Sequence, residues 1–97
     1  MYVATGRVTL RLFESASLKD KRQVVRSILA RARNHFEVSA AEVGNQKIWN
    51  LAEIGVAYVS GESGHALDVI EEVIRSIEAS RPDLEITQAS TDVINVS

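Results

Sequence analysis

The sequence predicts an α+β domain in which two amphipathic helices alternate with four strands in the order βαββαβ. Three observations predict it. Apolar and polar residues alternate from Tyr2 to Phe13, apolar residues recur at helical spacing after Ser17 and again after Gly64, and two short alternating runs flank a Gly-Asn turn signal. A chain of 97 residues allows one compact domain, residues 1–97, with one core, because a chain this short buries only about two-thirds of its unfolded surface.

Each element has its own reason. In the first strand Ala4, Gly6, Val8, Leu10 and Leu12 face one way, while Thr5, Arg7, Thr9 and Arg11 face the other. Ser17-Leu18-Lys19-Asp20 places a capping Ser three residues ahead of an acid. Leu18, Val25, Ile28, Leu29, Ala32 and Phe36 then form one helical stripe, so the first helix should run from Leu18 to His35 or Phe36. Val38–Val43 and Trp49–Val59 read as a hairpin around Gly44-Asn45-Gln46-Lys47. Ala66, Val69, Ile70, Val73, Ile74 and Ile77 mark a second helix, ending near Ser80 because Pro82 disfavours helix at Arg81. Leu84, Ile86, Val93, Ile94 and Val96 suggest a last strand, long and partly irregular.

In this order right-handed crossovers place both helices on one face of a four-stranded antiparallel sheet, the ferredoxin-like arrangement. The first strand is then central, and the second and fourth are edges. The other face, carrying Thr5, Arg7, Thr9, Arg11, Glu53, Gly55 and Ala57, is left without helices.

Composition excludes several function classes. Apolar residues at 45% and charged residues at 25% are ordinary globular usage. The absence of Cys excludes disulfides, a thiolate nucleophile and a sulfur-ligated metal. No stretch approaches the roughly 20 apolar residues of a membrane span, and no basic segment precedes an apolar run at the start, so a cytoplasmic location without membrane contact is expected. His35 and His65 have no second ligand at metal spacing, so neither a metal nor a cofactor is expected.

Charge is the informative feature. Residues 1–48 hold nine of the eleven Lys and Arg against four acids, and residues 49–97 hold two against nine, a +5 half joined to a −7 half. Lys19, Arg22, Arg26 and Arg33 lie within about 60° of one another on the first helix, at roughly 100° per residue. A row of this kind neutralises successive phosphates. Lys21 belongs to the same basic segment but points nearer the apolar side. The competing reading is a solvated flank whose cations offset Asp68, Glu71, Glu72 and Glu78 of the second helix.

Ser17-Leu18-Lys19-Asp20-Lys21-Arg22, Phe36-Glu37-Val38-Ser39-Ala40-Ala41-Glu42-Val43 and Ala52-Glu53-Ile54-Gly55-Val56-Ala57-Tyr58-Val59-Ser60 together resemble the YlxP-like family of small bacterial proteins of unknown function. The resemblance covers almost the whole chain. It implies a ferredoxin-like fold, no established reaction, and a gene that in many bacteria lies among those for translation initiation and ribosome maturation factors.

Two further places invite weighing. The start of the first helix offers N–H groups beside Lys19, Lys21 and Arg22, but Ser17 and Asp20 read as a capping box that uses those donors and repels an anion. The open sheet face lacks the aromatic residues with which an RNA-recognition motif stacks bases. Arg7 and Arg11 could contact a nucleic-acid backbone there, although Glu53 could pair with one of them. Trp49 reads either as a partner anchor or as a clamp over the hairpin end. The expectation is therefore a protein that binds rather than catalyses. RNA or a ribonucleoprotein surface would be met mainly through Lys19, Arg22, Arg26 and Arg33, with Arg7, Arg11 and Lys21 secondary. The alternative is a protein-interaction module, including a homodimer through the open sheet face or the edge strand Val38–Val43.

Overall fold

A computed structural model describes residues 1–97. Ser17 takes extended backbone angles and its Oγ accepts a hydrogen bond from the Asp20 N–H at 3.1 Å, so the first helix, α1, spans Leu18–Phe36. The Asp20 carboxylate reaches back to the Ala16 N–H at 3.2 Å, one residue beyond the usual partner of a capping box. The helix stops where Glu37 adopts φ 57° and returns its N–H to the Arg33 carbonyl.

Around it lie β1 (Tyr2–Leu12), β2 (Ser39–Gly44), β3 (Leu51–Ser60), α2 (Ser63–Ser80) and β4 (Leu84–Asn95), giving the βαββαβ order of a ferredoxin-like fold. The antiparallel sheet runs β2-β3-β1-β4, with β1 and β3 central. The sequence pattern places the hairpin strands one or two residues early. Gly44 still belongs to β2, and Asn45, at φ 59°, takes the left-handed turn position instead. The expected irregularity of β4 is a bulge. Thr9 faces Gln88 and Leu10 faces Ile86, leaving Thr87 unopposed.

The core forms between the sheet and the two helices. Ala4, Val8, Leu10 and Leu12 of β1 meet Ala52, Ile54 and Val56 of β3 on one side, and Ala66, Ile70, Val73 and Ile77 of α2 close over them. Each fully buried Val, Leu or Ile stabilises this layer by about 2 kcal/mol. A Cβ at Gly6 would come within 2.8 Å of Ile70, so the glycine lets α2 sit close on the sheet. No helix of the chain is long and apolar enough to cross a membrane.

One member of the interior is charged. Lys21 is 1% exposed and points from the first turn of α1 onto the sheet, where its Nζ donates to the Asn45 carbonyl and lies 2.9 Å from Glu42 Oε2. The Glu42 contact is close enough for an ion pair but misaligned for a hydrogen bond. Lys21 therefore ties the helix start to the β2–β3 hairpin.

The exposures of the two partners differ, 1% for the Lys21 side chain against 20% for Glu42, and this sets an expected asymmetry. Glu42→Ala strands a buried ammonium and should cost about 3–5 kcal/mol, whereas Lys21→Met leaves Glu42 Oε2 buried while the rest of that side chain keeps some access to water, and should cost less, about 1–3 kcal/mol. Urea unfolding of the two variants checks this, and equal losses would contradict it.

Candidate nucleic-acid interface

With about 100° of turn per residue, Lys19, Arg22, Arg26 and Arg33 share one flank of α1, and the structure leaves all four exposed. Which flank matters. Arg33 Nη2 donates to the Ala40 carbonyl at 2.5 Å, placing the row on the side of the β2 edge. Arg31, roughly 150° round the helix, instead lines the narrow cleft between α1 and α2 with Val73, Ser76 and Ile77. The row thus faces away from the acids of α2. The four ion pairs of the molecule, Arg7–Glu53, Lys21–Glu42, Arg75–Glu72 and Arg81–Asp83, include none of its members.

Two of the expected cations are corrected. Lys21 is no phosphate contact, because its ammonium is enclosed and committed to Asn45 and Glu42. Arg7 is exposed but engaged, its Nε donating to Glu53 Oε1 at 2.5 Å. That hydrogen bond, helped by the charge of Glu53, raises the Arg7 pKa above the ordinary guanidinium value. The register explains the choice of partner. Arg7 stands opposite Gly55, which has no side chain, and Glu53 reaches diagonally across, lying over Gly44, where a Cβ would come within 1.9 Å of its carboxylate.

Arg11 is exposed, with its guanidinium carbon 5.6 Å from the centre of the Phe13 ring. Trp49 precedes β3 in a turn. Its carbonyl accepts from the buried Ser15 Oγ at 2.6 Å while its side chain stays about half exposed. Phe13 is likewise exposed on a tied backbone, its N–H donating to the Asp83 carbonyl at 2.9 Å. Sequence reasoning passed over Phe13, although the alternation from Tyr2 already placed it on the helix-free side.

At the start of α1 the free donors are partly used. Ser17 Oγ and the Asp20 carboxylate accept from the Asp20 and Ala16 N–H groups, as plain capping requires. On the open sheet face a shallow groove of about 820 Å³ is floored by Thr5, Arg7, Ala41, Val43, Gly55 and Ala57. Beyond it Val59, Val3 and Ile94 form an apolar row across three strands. His65 Nε2 lies 3.5 Å from Tyr58 Oη, and His35 meets the edge of Phe36, so each histidine has an aromatic neighbour of its own.

Comparison with known proteins agrees with this architecture. The profile of a family described as "Protein of unknown function (DUF503)" matches residues 3–91. The chain is 35% identical over 81 residues to "Uncharacterized protein YlxP" of Bacillus subtilis (strain 168), covering 84% of this chain and 87% of the relative. Among solved structures, a chlorite dismutase-like protein is similar at a TM-score of 0.57 and 14% identity over 96% of this chain, which spans only 44% of that protein. The de novo designed protein Foldit4 is similar at a TM-score of 0.55 and 11% identity, over the full length of both chains. At such identities the likeness is one of fold.

The anchor of Phe13 has a titratable support. Arg81 donates to both Asp83 oxygens, Nε at 2.8 Å and Nη2 at 2.9 Å. These hydrogen bonds hold the Asp83 carboxyl below its ordinary pKa of 3.8. A carboxyl depressed in the folded state adds stability above its unfolded pKa and loses it as pH falls through the folded value. The stability gap between the parent and Asp83→Asn, followed by urea unfolding, should be constant above about pH 5 and shrink below about pH 4. A gap that widens on acidification would contradict the pairing.

Proposed function

The chain belongs to the DUF503 family of proteins of unknown function, and from its surface we propose that it is a cytoplasmic RNA-binding protein without catalytic activity of its own. RNA phosphates are held on the outer flank of α1 by Lys19, Arg22, Arg26 and Arg33. One observation carries the reading, namely that these four cations have no carboxylate partner in the molecule and face away from its acidic helix.

The net charge of −2 is no obstacle. At about 0.1 M salt, charges more than roughly 10 Å apart are screened, so a phosphate on the outer flank interacts with the row beside it more than with acids behind the second helix. Arg22 and Arg26 also offer planar forks that suit phosphate oxygens better than an ammonium does, while Arg33, whose Nη2 donates to Ala40, adds its charge and its remaining N–H groups.

A second reading rests on the uncovered sheet face, with its groove and its exposed Val43, Val59 and Ile94. A second copy docking there would bury about 600 Å² per protomer, judged from strand spacing and length. That is at the lower end for a specific interface, so any such dimer is weak and secondary to RNA binding.

Binding to RNA should weaken with salt along a log–log slope of about −2 to −3, as expected for three or four neutralised phosphates. Arg22→Ala and Arg26→Ala should each make the slope shallower by about 0.7 and weaken binding to all sequences alike. Fluorescence anisotropy at several salt concentrations measures both, and a salt-independent affinity would refute the reading. For the second reading, sedimentation velocity should show self-association only in the upper micromolar range, abolished by Ala57→Arg, and a strict monomer at all concentrations would remove it.

A further inference from the structure

The β1–β3 ladder pairs Arg11 with Leu51, and the Leu12 N–H donates to the Asn50 carbonyl at 2.9 Å. Phe13 and Trp49 are the next residues beyond that paired end, and Ser15, two residues after Phe13, donates its Oγ to the Trp49 carbonyl at 2.6 Å. Phe13 continues the odd-numbered, helix-free positions of β1, Trp49 lies in the turn just before β3, and both are about half exposed, at 53% and 48%. Neither ring is paired with another aromatic ring, since the two aromatic pairs of the molecule are His35–Phe36 and Tyr58–His65. Two flat apolar faces therefore stand in water at the end of the sheet.

Their backbone is not free to collapse. Phe13 is tied to Asp83, whose carboxylate Arg81 clamps, and Trp49 is tied to Ser15. A solvated ring on an anchored backbone loses little conformational entropy when something flat is laid on it. Ile48, also exposed, adjoins Trp49 and widens the apolar surface.

The surrounding charge says what that flat object is. Arg11 lies against Phe13, Lys47 stands in the turn two residues before Trp49, and Lys19 opens α1 at the same end, all exposed and none in an ion pair. Four acids share the region, of which Asp20 accepts from the Ala16 N–H and Asp83 is taken up by Arg81. Glu14 is near enough to Arg81 to act on its charge, and Glu85 lies opposite Arg11 across the strands without pairing with it. Aromatic faces beside unpaired cations suit an unpaired nucleobase with its phosphates, because every base offers a π-face and stacking tolerates any sequence.

We propose that Phe13 and Trp49 form a stacking platform for unpaired nucleobases, continuous with the basic flank of α1, so that the RNA taken by this protein is single-stranded or looped rather than uninterrupted duplex. The proposal rests on the RNA-binding reading and adds the class of RNA. It also gives Trp49 a role as a ligand contact instead of a clamp over the hairpin.

Trp49 is the only tryptophan of the chain and reports its own contact. Titration with oligouridylate should quench its emission, and a blunt RNA duplex of equal phosphate number should leave it unchanged. Trp49→Leu and Phe13→Ala should each weaken oligouridylate binding about five- to a hundredfold while leaving duplex binding as it was, and Trp49→Phe should restore most of the loss. Circular dichroism of each variant shows that the fold is kept. If both variants bind oligouridylate like the parent while Arg22→Ala and Arg26→Ala weaken it, the platform is refuted and the RNA reading stands. If the arginine variants also bind like the parent, or nothing binds, both are refuted.

Discussion

A lysine ammonium that no water reaches has to be met by negative or dipolar groups, and at Lys21 that requirement organises one end of the molecule. Its partners are a carboxylate on β2 and the carbonyl of Asn45, the residue that turns the hairpin with a left-handed backbone. Helix start, edge strand and hairpin turn are thereby held in one relative position. Apolar contacts alone would tolerate sliding of α1 along its stripe, because they are non-directional. A buried ammonium held between one carboxylate and one carbonyl is not so forgiving.

From that fixed end the rest of the charge distribution follows. With Lys21 turned inward, the neighbouring turns of α1 present Lys19, Arg22 and Arg26 on the opposite side of the apolar stripe from α2. The acids of the second helix cannot reach them without crossing the helix pair. The chain is thus polarised in space as well as along its sequence, with a basic flank beside β2 and an acidic helix beyond. Unpaired cations on a rigid flank are inexpensive in water and, on binding, release the counterions of a polyanion, which is a favourable use for residues that contribute little to stability.

The sheet face shows the same economy in a different chemistry. Small residues on β3, with Glu53 drawn across Gly44 to Arg7, leave a shallow and largely uncharged surface in the middle of the sheet. Apolar side chains are displaced to its two ends, Val59 and Ile94 at one and Phe13 and Trp49 at the other. The second end differs in having a guanidinium beside its apolar surface, since Arg11 lies 5.6 Å from the centre of the Phe13 ring.

Much of this was readable in the chain. Period-two and period-3.6 patterning placed all six elements, and the Ser17 cap and Pro82 bounded the helices, because those signals act through neighbours in sequence. The basic row was equally legible, since its members share one helix. What sequence could not reveal is who meets whom across elements. That Lys21 finds Glu42 depends on how α1 lies on β2. That Arg7, not Arg11, takes Glu53 depends on a register in which Gly55 leaves a gap, and that Phe13 and Trp49 come to the same end of the sheet depends on where the β1–β3 ladder stops. Periodicity specifies the face of an element but not its partner on another, because a partner is selected by docking distances that no local pattern encodes.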